Sequence, residues 1–173
     1  VALSAANHGE RYLRQMQTNN PAVTLEPAAY EQKAILRNLL ELYVYDFTEF
    51  TGDDIGADAL FGYRYLDHYW TDPDRYPFLI RANGALAGFA LVRGTAPRDM
   101  SEFFVMRKFR RHRVGSTAAK LVFETFPGPW QVRELVANLP AQAFWRRTIR
   151  EYAGAFEEES DAEEVTQRFE TPH

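Results

Sequence analysis

The sequence contains no cysteine. That excludes a disulfide framework, a thiolate metal site and a cysteine nucleophile, so any metal would need histidine or carboxylate ligands. Histidine is scarce as well: His8, His68, His112 and His173 are scattered, and none pairs at metal-ligand spacing. No metal site is expected. Long hydrophobic runs are missing too. The longest nearly apolar stretch, Ala85 to Val92, is far too short to cross a bilayer, and Val1 to Asn7 lacks the basic start and apolar core of a signal peptide. A soluble, cytoplasmic protein without a membrane partner is the expectation. No repeat or low-complexity stretch occurs, and a formal net charge of -4 argues against wholesale attraction to nucleic acid.

What is present suffices for one domain. The chain has 173 residues, 46% of them hydrophobic, enough to bury a core without covalent staples. Residues Val1 to Ala22 read as a polar N-terminal extension of unassigned role, and 23–173 as the domain itself. Val23 to Leu25 is a short β-branched run ended by Pro27, an edge or first strand. Leu36, Leu39, Leu40, Tyr43, Phe47 and Phe50 step by three or four residues, the stripe of an amphipathic helix from about Ala28 to Phe50 that Gly52 stops. The aromatic-dense segment Ala57 to Trp70 predicts a second, broken helix. Phe78 to Ala82 and Ala85 to Val92 flank Asn83-Gly84, the signature of a type I′ hairpin. Met100 to Met106 is a further strand, Ser116 to Phe126 a helix, Trp130 to Ala137 a strand, and Ala141 to Tyr152 a helix after the turn at Asn138-Leu139-Pro140. Phe156 to Ser160 and Val165 to Thr171 are candidates for a closing strand pair.

The strand–loop–helix–strand–helix order in the second half requires a parallel strand pair, with a helix N-terminus beside the carboxyl edge of the sheet. Five of the seven residues from Arg107 to Arg113 are permanently cationic, and the run opens directly into that helix near Val114 and Gly115. Free N–H groups of the first turn and the helix dipole add to the side-chain charge, which suits a pyrophosphate or a similarly dense anion. Gly115, Ser116 and Thr117 keep the turn small enough for close approach. Two other readings stand beside this one. The loop could be a solvated surface whose arginines pair with the acidic tail around Glu157 to Glu164, or it could grip nucleic-acid phosphates, although no recognition helix or stacking platform is evident.

Two blocks of residues bear on the choice. Val105 ends a strand and is followed by Arg110, two free positions, Arg113, one free position and Gly115. After the next strand come Asn138, Ala141 and the aromatic pair Phe144-Trp145. In these residues, and over about Val23 to Tyr152, the chain resembles the GNAT superfamily of acetyl-coenzyme A dependent N-acetyltransferases. It departs at Arg113, where a glycine is usual, and at Trp145, where a tyrosine is usual.

The resemblance implies an α/β (α+β) fold, with a mixed, mostly antiparallel sheet of six or seven strands and helices on both faces. Its fourth and fifth strands would be parallel and splayed around the pantetheine of acetyl-coenzyme A. It further implies that backbone groups of Phe104, Val105 and Met106 bond the acetyl and pantetheine amides. Arg110, Arg111, Arg113, Val114, Gly115, Ser116 and Thr117 would hold the pyrophosphate, and Asn138, Ala141 and Phe144 would line the opposite wall. Glu102 is then the first candidate for the base, being on the same strand face as Phe104, with Asp99 and Glu134 in reserve. Trp145 leaves the acid without an obvious residue, since an indole N–H does not give up a proton at ordinary pH. Tyr43, Tyr45, Asp46, Phe47, Phe50, Tyr63, Tyr65 and Trp70 offer aromatic surface and a carboxylate for an amine acceptor, although stripes at helical spacing are more often core than pocket. The reading is therefore acetyl transfer to a primary amine of a small molecule or protein. The competing reading is a non-catalytic acyl-coenzyme A binding or regulatory module. Acceptor identity and oligomeric state, a homodimer included, stay open.

Overall fold

A computed structural model describes residues 20–172. The expected N-terminal extension therefore lies almost wholly outside the described residues. Its chain order is β1 (Val23–Pro27), a single 3-10 turn (Tyr30–Gln32), α1 (Lys33–Thr51), α2 (His68–Thr71), β2 (Arg75–Ala82), β3 (Ala85–Arg93), β4 (Arg98–Val105), a second 3-10 turn (Arg107–Phe109), α3 (Val114–Thr125), β5 (Pro129–Leu135), α4 (Leu139–Ala153), β6 (Glu157–Ser160) and β7 (Glu164–Glu170). The strands form one seven-stranded sheet in the order β1-β2-β3-β4-β5-β7-β6. Every neighbouring pair is antiparallel except β4 and β5.

The hairpin follows from its turn residues. Asn83 (φ 50) and Gly84 (φ 77) take the two positive dihedrals a type I′ turn demands. The Asn83 side chain also accepts from the Ala22 N–H at 2.9 Å, and its own N–H donates to Ala22 O at 2.8 Å, which seats the start of β1 against the turn. Alternation along β2 and β3 then sends Leu79, Phe89 and Leu91 to one face, under Leu36, Leu39 and Leu40 of α1 and Leu66 and Tyr69 around α2. The other face carries Phe78, Ala90 and Val92 against Ala119, Val122 and Phe123 of α3 and Trp145 and Ile149 of α4. Helices thus cover both faces.

Two expectations are corrected. The first helix begins at Lys33 rather than Ala28: the Ala28 N–H is spent on Pro77 O of β2 at 2.8 Å, and the Trp70 indole N–H donates to Ala28 O at 2.8 Å, so the chain stays extended there. The broken helix of 57–70 shrinks to the single turn His68–Thr71, because Ala59 and Gly62 adopt positive φ and the Glu41 carboxylate of α1 takes the Phe61 and Gly62 N–H groups at 2.7 and 3.1 Å. A helix has no use for those donors in that arrangement.

Gly88 sets how closely β3 and β4 approach. A Cβ built there would lie 1.9 Å from Phe104 O. Gly88→Ala must therefore push the two central strands apart, and we expect a loss of about 3 kcal/mol in urea unfolding; a change below about 0.5 kcal/mol would show that the strands part freely.

Candidate active site

The parallel pair is short. β4 and β5 are in register only from Arg98↔Trp130 to Met100↔Val132, after which they separate. At the point of parting the buried Asp99 carboxylate accepts from Arg93 of β3, at 3.1 Å from Nε and 2.9 Å from Nη2, and from Arg133 of β5. Asp99 is thus a cross-strand tie held between two guanidiniums. Beyond it opens a cleft of about 960 Å³, walled by Ser101 to Val105 on one side and by Arg133, Glu134, Asn138 and Ala141 on the other.

Glu102 stands in that cleft. The register between β3 and β4 slips between Leu91↔Glu102 and Val92↔Met100, so Ser101 is an extra residue, a β-bulge. The bulge resets the alternation: Met100 and Phe103 both pack toward α3 and α4, while Phe104 packs toward α1. Glu102 joins Phe104 on the α1 side, where the Tyr43 hydroxyl donates to Oε2 at 2.6 Å and the Tyr63 hydroxyl donates to Oε1 at 2.9 Å. Burial pushes the Glu102 carboxyl above its ordinary range, against the opposing pull of the two phenol hydrogen bonds. Burial and the neighbouring carboxylate push both phenols upward as well, so they remain donors at neutral pH.

The strand edge facing the gap differs from the sequence expectation. The Met106 N–H donates to Ala87 O of β3 at 2.9 Å and so points away from the cleft. Antiparallel alternation turns Phe104's backbone groups to β3 in the same way, and directs those of Phe103 and Val105 to the parted edge. Of Phe104, Val105 and Met106, only Val105 presents its main chain to the gap, and its carbonyl already accepts from Arg110 Nε at 2.7 Å. Phe103, absent from the expected set, replaces the other two.

The basic loop leads into α3 as expected. Arg111 (φ 65) and Arg113 (φ 60) are both left-handed, a conformation that costs a residue with a Cβ about 1–2 kcal/mol and explains why glycine is usual at the second position. No side chain caps α3, whose first turn, Val114 to Thr117, opens at the cleft with Gly115, Ser116 and Thr117 lining it. A Cβ at Gly115 would press on the Phe144 ring at 3.3 Å. The acidic tail does not occupy the loop. It pairs instead with Arg146 and Arg168, while Arg107 and Arg110 both bind Asp46 of α1. Burial works to raise the Asp46 carboxyl, but hydrogen bonds from Arg110 and Arg107 outweigh it and hold it below its ordinary range. Asp46 therefore clamps the loop and is not a free carboxylate for an amine.

On the far wall Asn138 lines the cleft, and its Oδ1 caps α4 by accepting from the Ala141 N–H at 3.1 Å. Phe144 stacks on Phe103, and Trp145 is buried edge-on against both rings. Tyr43, Phe47 and Phe50 also line the cleft. Tyr65 and Trp70 do not: Tyr65 packs with Tyr63, Arg64 and His68, and Trp70 with Tyr30. Of that aromatic group Tyr63 is singled out by its hydroxyl hydrogen bond to Glu102, 39 residues away. Lys120 and Arg147, one and two turns deeper on α3 and α4, also line the cleft and carried no motif signal.

The chain has a match. The model of the acetyltransferase (GNAT) family aligns with residues 37–149. The chain belongs to that family. As a GNAT protein it is an acyltransferase, and its fold recurs in solved structures of low sequence identity. An acetyltransferase from Thermus thermophilus is 14% identical, with TM-score 0.65 over 86% of this chain and 97% of its own. The ribosomal-protein-S18-alanine N-acetyltransferase of Escherichia coli is 10% identical, with TM-score 0.63 over 88% and 96%. The PaiA N-acetyltransferase of Thermoplasma acidophilum, solved in complex with coenzyme A, is 10% identical, with TM-score 0.61 over 86% and 99%. No curated protein sequence matches this GNAT chain.

The Asp46 clamp yields a prediction. Asp46→Asn frees two guanidiniums at the loop, so affinity for inorganic pyrophosphate should rise severalfold at low salt, and the gain should shrink as ionic strength screens it. Calorimetry showing weaker binding would mean that the clamp shapes the anion site rather than competing with it.

Proposed function

We propose that this chain moves the acetyl group of acetyl-coenzyme A to a primary amine of a small molecule or protein, with Glu102 as the base. The observation that carries the reading is the Glu102 carboxyl, held by two phenols within the cleft that the parting of β4 and β5 creates. The residues present fit the coenzyme. Phe103 and the N–H of Val105 offer a strand edge to an amide-bearing arm, in the manner of an added strand, while the Val105 carbonyl accepts from Arg110 Nε. The uncapped first turn of α3 and the cations Arg110, Arg111 and Arg113 suit a diphosphate. When bound, acetyl-coenzyme A supplies an acyl group activated as a thioester.

The chain's own residues do the rest. Tyr43, Phe47 and Phe50 of α1 form the wall on the Glu102 side, an aromatic surface suited to the body of an amine. Glu102 takes a proton from the attacking nitrogen, directly or through water, and its raised carboxyl range brings it nearer to neutral pH, where proton transfer is most efficient. Tyr43 and Tyr63 fix its orientation. The non-catalytic alternative keeps one observation in its favour, the buried Trp145 where related enzymes have a tyrosine. Both readings predict saturable coenzyme A binding; only transfer predicts thiol release when a panel of amines is supplied.

Two variants test the base. Glu102→Gln should lower kcat about 10²-fold or more with little change in coenzyme A affinity. Tyr43→Phe removes a hydrogen bond that favours the charged carboxylate, so the acidic limb of the pH–rate profile should move to higher pH. A limb that stays in place would remove Glu102 from the chemistry.

A further inference from the structure

One buried group has no counterpart in the scheme above. Glu134 lies on β5 beyond the last residue paired with β4, in register with Val165 of β7 on its other side, and lines the cleft, yet it is only 6% exposed, and neither carboxyl oxygen has a hydrogen-bond partner among the described residues. It continues the series Trp130, Val132, Glu134 on the face covered by α4, where Trp130 and Val132 pack with Trp145. Glu102 faces the opposite helix layer. A desolvated carboxyl without partners costs free energy that an apolar residue at this position would spare.

We infer that Glu134 is the proton donor to the departing coenzyme A sulfur, replacing the hydroxyl that Trp145 cannot supply. The inference rests on the transfer reading above. As the nitrogen–acetyl bond forms and the acetyl–sulfur bond breaks, the electron pair of the latter goes to sulfur. Glu102 takes the proton lost by the amine, and Glu134 gives its own proton to the sulfur. Solvent then restores both carboxyl groups before the next turnover.

The surroundings of Glu134 favour the protonated state this requires. Burial is the largest influence; Glu158 of β6 adds to it, Arg146 of α4 opposes it and Glu164 of β7 adds again, so the carboxyl is pushed up to about 8. The Arg146 guanidinium is itself bound to Glu158 at 2.7 and 2.8 Å, and Gln167 of β7 donates to the same Glu158 at 3.0 Å. The Arg146 cation is thereby drawn away from Glu134. At neutral pH the group carries a proton and can release it to a stronger base such as a thiolate, whose conjugate thiol has a pKa of about 8.5.

The test uses Glu134→Gln, which mimics the protonated side chain in shape, and Glu134→Asp, which keeps an acid. We expect Glu134→Gln to lower kcat about 10²-fold at pH 7, to leave the calorimetric affinity for coenzyme A within about twofold, and to abolish a falling limb of the pH–rate profile near pH 8. Glu134→Asp should retain that limb. A second readout needs no coenzyme. The native group binds its proton up to about pH 8 and the unfolded one only to about pH 4.3. The Tm of the wild type should therefore fall between pH 5 and pH 8 relative to that of Glu134→Gln. Full turnover by Glu134→Gln with its alkaline limb intact overturns the inference while leaving acetyl transfer standing. Coenzyme A binding by the wild type without thiol release from any amine overturns the transfer reading, and this one with it.

Discussion

The early parting of β4 from β5 is the constraint on which the rest of the molecule depends. Two parallel strands share only three register positions before they diverge, so, apart from the Val105 carbonyl that Arg110 Nε occupies, the backbone groups of Phe103 and Val105 are left on an open edge in the middle of a sheet. Such groups require water or a ligand, because buried main-chain donors are rarely left unmet. The divergence is held at its root by Asp99, which ties Arg93 of β3 to Arg133 of β5. It is held from below by Phe103, Phe144 and Trp145, whose rings fill the space beneath the cleft. The crossover from β4 to β5 then has to start from the open end, which delivers the N-terminus of α3 and the cations of its loop to the mouth of the gap.

The same parting sorts the charges. Glu102 and Glu134 both border the cleft, one from each strand, and burial raises both. Their partners differ. The bulge at Ser101 turns Glu102 toward α1, where two phenols stabilise its charged form. Regular alternation on β5 turns Glu134 toward α4, where the Arg146 guanidinium is spent on Glu158. One carboxyl is thus equipped to accept a proton and the other to keep one, a division that two identical residue types reach through environment alone. Asp46 makes a third case: two arginines hold it charged, and it joins the cleft-lining face of α1 to the basic loop.

Much of the fold was legible in the sequence, because its signals are local. The stripe from Leu36 to Phe50 reported α1, Asn83-Gly84 reported the hairpin, and Gly115 with the preceding cations reported the uncapped helix start. The site was legible to a smaller extent. Alternation was enough to pair Glu102 with Phe104, since no irregularity falls between them, but it could not reveal the bulge that separates Glu102 from Met100. The family resemblance also implied Phe104 and Met106 as edge residues, whereas the strand on their other side, β3, had already claimed them. Tyr65 and Trp70 looked equivalent to Tyr43 and Tyr63. What set Tyr63 apart is its hydrogen bond to Glu102, in a segment that the Glu41 carboxylate pins at Phe61 and Gly62.

By itself, then, the sequence determined the elements, the crossover and the concentration of positive charge at one helix start, since each arises from residues within a few positions of one another. Only the tertiary structure decided which carboxyl groups are partnered and which are stranded. Tyr43 and Tyr63 meet Glu102 across 59 and 39 residues of chain, and Glu134 owes its proton affinity chiefly to desolvation beneath α4. Hydrogen bonding and desolvation act over a few ångströms of space, and the chain's order does not encode those distances until it has folded.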